Sequence, residues 1–155
     1  MGYFKTAKFG DCEKLAPIIR KTDKQEVWAS HGLEPLQALK MAFISSEEVN
    51  SIVDDKEDII GMFGVARQGD IGSPWLILSD GIYEKPAYTR QFFKGSIEWV
   101  KRIQENYPLL TNYVAEDNEA AIKWLKLLGF KFISYHPNYG VNPKPFYNFV
   151  RIRSK

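Results

Sequence analysis

Residues 118–130 read NEAAIKWLKLLGF, and this one stretch carries both ends of a helix. Asn118 belongs to the residue types that cap orphan backbone N–H groups, and Gly129 most easily takes the left-handed turn after a helix. Between them Ala121, Leu125 and Leu128, with Ile122 and Trp124 alongside, form an apolar stripe, while Lys123 and Lys126 face water. Two readings of Asn118 stay open: a plain cap, and a cap whose amide also serves a ligand.

Outward from that helix the pattern alternates between strands and helices. YFKTAKF (3–9) alternates as a strand, and DCEKLAPIIRKTD (11–23) is expected as a helix capped by Asp11, with Leu15, Ile18 and Ile19 inward. A polar turn leads to a second helix, EPLQALKMAFIS (34–45), with Pro35 in its first turn. NSIVDD (50–55) and IIGMFGVARQ (59–68) flank a tight turn as antiparallel strands, and GDIGSP (69–74) breaks the chain before the short strand WLILSD (75–80). YTRQFFKGSIEWVKRIQENY (88–107) is a long amphipathic helix burying Phe92, Phe93, Ile97, Val100 and Ile103. LLTNYVAED (109–117), KFISYH (131–136) and FYNFVRIRS (146–154) complete the strands. The expected order is β-α-α-β-β-β-α-β-α-β-β in one α/β domain over 1–155, with a mixed, mostly antiparallel sheet flanked by about four helices. The strands on either side of the long helix are expected to be parallel. A crevice should open where they part, at their carboxyl ends.

Composition narrows the classes. The chain has 155 residues, of which 45% are hydrophobic and 26% charged, enough to build one core and unlike a disordered segment. A net charge of +2 with no basic cluster argues against nucleic acid and anionic membrane as partners. The longest apolar run, IIGMFGVA, is too short for a bilayer span, and MGYFKTAKFGD lacks a signal-peptide core. Gly2 and Thr6 match an N-myristoylation pattern, against which bulky Tyr3 counts. The lone Cys12 excludes an internal disulfide, and His31 and His136 show no metal-ligand spacing, so no metal is expected. These features point to a soluble, intracellular protein.

The order of elements, ending in a strand–Asn–helix–Gly-Phe unit, resembles the GNAT acyltransferase superfamily. That family's late motif is an Asn, an Ala three residues on, a Tyr seven on, and a closing Gly-Phe. Asn118, Ala121, Gly129 and Phe130 match it, and Leu125 stands where the Tyr would be. The strings EVWASHGLEPLQAL, MFGVA, GSPWLILSD, NYVAEDNEAAIKWLKLLGF and P-F-Y-N-F look like a phage-encoded GNAT-like group. That group includes the small internal virion protein A of short-tailed phages and prophages.

The resemblance implies a GNAT-like fold and an acetyl-CoA-dependent N-acyltransferase passing an acyl group to an amine, of a small molecule or a protein. It implies equally an alternative, a catalytically idle scaffold acting as an internal virion or host-interaction protein. The protein would then reside in the cytoplasm of a bacterial host or in the phage virion interior. The pantetheine arm would pair with the central strand near Leu78 and Ser79, and Asn118 and Ala121 would lie beside the cofactor. The family's glycine-rich pyrophosphate turn is missing. Lys85, Tyr88, Thr89 and Arg90 occupy its place, either as a remodelled phosphate site or as the solvated end of a helix. Leu125 cannot protonate a departing thiolate, which leaves Tyr88, Tyr113 or a water for that task. As general base the first choice is Asp80, at the end of the central strand. Glu26, in the connection between the first two helices, is second, and Glu84 third; each reads equally as a cap or surface acid. Trp75, Trp124, Phe92 and Phe93 read as core, Trp28 as an exposed loop indole, and HPNYGVNPKPFY (136–147) as a long stiffened loop.

Overall fold

A computed structural model describes residues 4–154; Gly2 and Tyr3, with the myristoylation pattern and the first residue of the first strand, lie outside that range. The elements in chain order are β1 (Phe4–Thr6), α1 (Asp11–Leu15), a 3₁₀ turn (Ala16–Ile18), α2 (Lys21–His31), α3 (Pro35–Ser45), β2 (Ser46–Val53), β3 (Ile59–Gln68) and β4 (Ile71–Leu78). A second 3₁₀ turn (Asp80–Tyr83) leads to α4 (Pro86–Asn106), β5 (Leu109–Ala115), α5 (Glu119–Leu127), β6 (Lys131–Tyr139) and β7 (Lys144–Ile152). The seven strands form one sheet in the order β1-β2-β3-β4-β5-β7-β6, with β4–β5 its parallel pair and every other pairing antiparallel.

Helices cover both faces. Phe92, Trp99, Val100 and Ile103 of α4 and Leu125 of α5 pack with Phe63, Val65, Leu110 and Val114 on one side. Cys12 and Leu15 of α1 and Leu39 of α3 pack with Met62 and Ile77 on the other.

The expected helix 11–23 is broken. Pro17 ends the first segment in a 3₁₀ turn, Ile19 is extended at φ −64° and ψ 152°, and Ile19 bridges to Ser79 at the end of β4. The chain then enters α2, so the stretch read as a polar turn is a fifth helix, and Glu26 and Trp28 sit on a helix rather than in a loop. Its apolar pattern is faint because Trp28 stays 49% exposed and Ala29 is its one buried apolar residue. The strand after the break at 69–70 begins earlier than expected, at Ile71. The 136–147 segment is mostly strand, with its turn at 140–143. That turn docks on the end of α2: Val141 N–H donates to Ser30 O (3.4 Å) and Asn142 N–H to Ala29 O (3.0 Å). Gly140, at φ 94°, lets the backbones meet where a Cβ would strike Ala29 O.

The parallel pair decides the site. β4 and β5 pair at Ile71↔Leu109 and Gly72↔Leu110 and then part. In the parallel pattern the next rung would join Pro74 N to Thr111 O and Tyr113 N to Pro74 O. Pro74 has no N–H, so the first bond cannot form. The second is replaced by the Asn112 side chain, whose Nδ2 donates to Pro74 O (2.9 Å) and whose Oδ1 accepts from Tyr113 N (2.9 Å). An amide group thus stands inside the ladder and holds the strands apart.

Asn112→Leu should strand the Tyr113 N–H and the Pro74 C=O together, lowering unfolding free energy by roughly 1–3 kcal/mol in urea titration. An unchanged midpoint would show that the clasp does not hold the two strands.

Candidate active site

Beyond the clasp lies a crevice of about 690 Å³. Its walls are β4 from Ser73 to Leu78, β5 from Asn112 to Val114, α2 on one sheet face and α4 and α5 on the other. It therefore passes through the sheet and opens toward both helical layers. Backbone groups point into it by strand alternation. Leu78 N–H donates to Asp23 Oδ2 (2.8 Å) and Leu78 O accepts from Arg20 N–H (2.8 Å), so both face away from β3. Two residues earlier, Leu76 turns its N–H and C=O to the same side.

A chain of polar side chains closes the upper end. Asn118, 3% exposed, uses Oδ1 to accept from Ala121 N–H (3.4 Å), capping α5, and from Arg20 Nη2 (3.1 Å). Its Nδ2 donates to Glu26 Oε2 (2.8 Å), which also accepts from Ala115 N–H (3.3 Å). Arg20, 8% exposed, further donates to Asp23 Oδ1 (3.2 Å) and to Tyr83 Oη (3.0 Å). Asn118 is thus a cap that also orients a carboxylate.

Burial raises the Glu26 carboxyl from 4.5 to about 7, against the Asn118 N–H that pulls it down. The Asp23 carboxyl is also raised by burial, with the Arg20 guanidinium opposing. Two carboxylates therefore share the site in unequal states: Asp23 holds a cation and a backbone N–H, and Glu26 is poised to exchange a proton near neutral pH. Both hydrogen bonds that Glu26 accepts fall on Oε2, leaving Oε1 for an incoming proton.

The crevice wall gathers Glu26, Leu78, Thr89, Asn118 and Ala121. It leaves out Ser79, Asp80, Glu84, Lys85, Tyr88 and Arg90. Asp80 is exposed in the 3₁₀ turn that follows β4, because the strand ends before it and the chain bends away. Ser79 is buried, its hydroxyl donating to Ile60 O (2.8 Å) and accepting from Gly81 N–H. Tyr88 is 4% exposed in the core and accepts the Asp55 N–H (3.2 Å). Lys85 is exposed and paired with Asp55 (3.0 Å), and Glu84 and Arg90 are exposed. Of the tyrosines considered as acids, Tyr113 is the one on the wall.

Sequence reasoning missed Arg20, Asp23 and Asn112. The i,i+3 pair of Arg20 and Asp23 looks like any surface ion pair. The one available signal for Asn112 was a proline opposite the start of a parallel strand.

Residues 61–137, just under half of the chain, match a family model described as bacteriophage T7, probable scaffold protein Gp13. No curated protein matches in sequence. Among solved structures, the chain is similar to a GCN5-related N-acetyltransferase from Kribbella flavida, at 19% identity and a TM-score of 0.67, covering 97% of this chain and 96% of that one. It is similar to the spermidine N-acetyltransferase from Vibrio cholerae in complex with CoA and spermine, at 13% identity and a TM-score of 0.69 over 98% and 95%. It is also similar to the ribosomal-protein-S18-alanine N-acetyltransferase from Escherichia coli, at 13% identity and a TM-score of 0.68 over 100% and 96%. The chain has the fold of the GNAT N-acetyltransferases.

Asn118→Ala removes both the cap and the Glu26 partner. Thermal unfolding should show a loss of about 1 kcal/mol or more. The Glu26 carboxyl should titrate higher than in the parent, read by carboxyl NMR; a carboxyl that titrates as before would mean Asn118 only caps.

Proposed function

We propose that the protein is an acyl-CoA-dependent N-acyltransferase that uses Glu26 as general base toward an amine acceptor. The observation that carries this reading is a half-buried carboxyl, poised near pH 7, on the wall of a crevice opened between two parallel strands. The crevice suits an acyl-pantetheine arm: its walls are mostly apolar, and its β4 edge offers the Leu76 N–H and C=O. Bound acyl-CoA would supply the thioester to be attacked. Lys85 and Arg90, beside the start of α4, would meet the pyrophosphate with charge in place of glycine-turn amides, whereas the Thr89 hydroxyl already donates to Ile82 O (2.9 Å).

The residues divide the work. Glu26 takes a proton from the amine through Oε1, directly or through one water, and a base with its pKa near ambient pH does this well. Asn118 and the Ala115 N–H keep the carboxylate aimed. The Leu76 N–H donates to oxygen as charge develops on it, at an edge with no ladder partner. Tyr113, one of three tyrosines on the wall among the described residues, would protonate the leaving thiolate.

One observation favours a second reading. The Asp23 carboxylate sits on the Leu78 N–H and Arg20 bonds the Leu78 carbonyl, so the last rung of the β4 edge is already taken. With no glycine turn for pyrophosphate, this describes an idle acetyltransferase scaffold used as a virion or host-interaction protein. The partial match to a phage scaffold family supports a phage setting for either reading.

Calorimetry with acetyl-CoA separates the two. Heat with micromolar dissociation is expected, and silence at millimolar concentration would leave the scaffold reading. Given binding, Glu26→Gln should lower kcat by roughly 100-fold or more while leaving acetyl-CoA affinity in place. Turnover in the parent should climb with pH through about 7.

Stability gives an independent check. The folded state favours protonated Glu26, so its stabilising contribution is complete below pH 4.5 and lost as pH rises through about 7. Glu26→Gln should therefore melt higher than the parent at pH 8, and the advantage should shrink toward pH 4.5. A pH-independent difference would remove the carboxyl from this role.

A further inference from the structure

Beneath α2 and α3 the crevice is walled largely by carbon. Val27, the residue after Glu26, lines it together with Leu33, with Met41 and Ala42 of α3, and with Trp75 of β4. The Trp75 indole N–H is spent on Ser46 Oγ (2.8 Å), so its ring offers the space no polar group. The Ser30 hydroxyl, on the same wall, donates to Glu26 O (2.9 Å) and pairs with His31 Nδ1 (2.8 Å). The wall continues onto the stacked rings of Tyr113 and Tyr139, centroids 4.4 Å apart.

Negative charge is sparse here. Among the described residues that line the crevice, the carboxylates are Asp23 and Glu26. Asp23 is occupied, by Arg20 Nη2 (3.2 Å) at Oδ1 and by the Leu78 N–H (2.8 Å) at Oδ2. Glu26 is left as the one carboxylate that can receive a cation from a ligand, through Oε1. The nitrogen-bearing ionisable side chains of the wall, Arg20, His31 and Lys123, are bases and hold no negative charge.

We infer that the acceptor is a primary amine with one cationic centre on an alkyl or aryl body, and that a polyamine is rejected. This rests on the acyltransferase reading with Glu26 as base and names its substrate class. The amine arrives as an ammonium, gives one proton to Glu26 Oε1, and attacks the thioester carbonyl with its nitrogen lone pair. A C–N bond forms as the C–S bond breaks. The sulfur keeps the bonding pair and takes a second nitrogen proton, and Glu26 passes its own to water. The nitrogen ends as a neutral amide, and the carbon body covers Met41, Ala42 and Trp75. A polyamine loses charge at one nitrogen and keeps it at the others. Each ammonium left against carbon with no carboxylate is strongly disfavoured.

Hexylamine and 1,6-diaminohexane share a carbon chain and differ by the second ammonium. With saturating acetyl-CoA at pH 8, kcat/KM should be roughly 10-fold or more higher for hexylamine. Met41 is 56% exposed, so Met41→Glu sets a carboxylate on this wall without disturbing the core. That variant should lose hexylamine turnover and gain 1,6-diaminohexane turnover, and Met41→Gln should show no such gain. Equal or better use of the diamine by the parent, or an unchanged preference in Met41→Glu, would overturn the inference. So would acetyl-CoA that binds in calorimetry while neither amine is acylated, which leaves the cofactor reading standing without this acceptor. No binding by the parent at millimolar acetyl-CoA would remove both.

Discussion

Pro74 has no N–H to give, and it stands at the rung where β4 and β5 would continue their ladder. Asn112 fills the partner side of the same rung with its own amide, bonding Pro74 O and Tyr113 N–H at 2.9 Å each. The remaining functional geometry depends on this small mismatch. With a continuous ladder, Leu76 and Leu78 would pair with β5, and no space would exist between the two helical layers. With the clasp, two strands that share one sheet separate while their backbone groups stay satisfied at the point of divergence. A crevice can therefore be part of a stable core rather than a defect in it.

Once the strands part, their free edges need partners, and the chain supplies some from a distance. Asp23 of α2 and Arg20, the residue just before that helix, reach the end of β4, and Glu26 of the same helix reaches the Ala115 N–H of β5. Asn118 joins the two sets. This explains why α2 exists as a helix despite its weak amphipathic pattern: it is held by polar bonds to strand ends, and by the β6–β7 turn bonded to Ala29 and Ser30. The arrangement also gives the carboxyls their character. Burial raises both, but Asp23 has a guanidinium beside it, and Glu26 has neutral donors. The difference leaves Asp23 bound to a cation and Glu26 held among neutral donors, with its carboxyl raised to about 7.

The same network gives the site two faces chemically. The Leu78 rung, nearest the polar chain, is occupied by Asp23 and Arg20. The Leu76 rung, further along the crevice, faces the space between the strands. Enzyme and idle scaffold share this architecture, and they differ in whether an acceptor-rich chain occupies the open part of it. Fold alone does not choose between them.

Local chemistry made much of the fold legible. Helix α5 was readable from its ends: Asn118 caps through Oδ1, and Gly129 takes φ 89°. The parallel pair was readable from a long amphipathic helix between two apolar strands, and the order of elements with Asn118, Ala121, Gly129 and Phe130 pointed to the architecture that the similar solved structures share. Alternation and periodicity report which side of an element is buried, and a whole sheet sums those local signals. The break at Pro17 and the helix beyond it were less legible, because α2 is stabilised by partners 50 to 100 positions away rather than by its own pattern. The site followed the same division. Asn118 and Glu26 could be singled out by residue type, but Asp80 ranked above Glu26 because proximity to a strand end is visible in sequence and burial is not. What the chain determined alone was the set of elements and the residue types that can cap, bond or titrate. Tertiary structure decided which carboxyl lost its water, which strand edge stayed open and which donors were left without acceptors, because each of these is set by groups that only folding brings together.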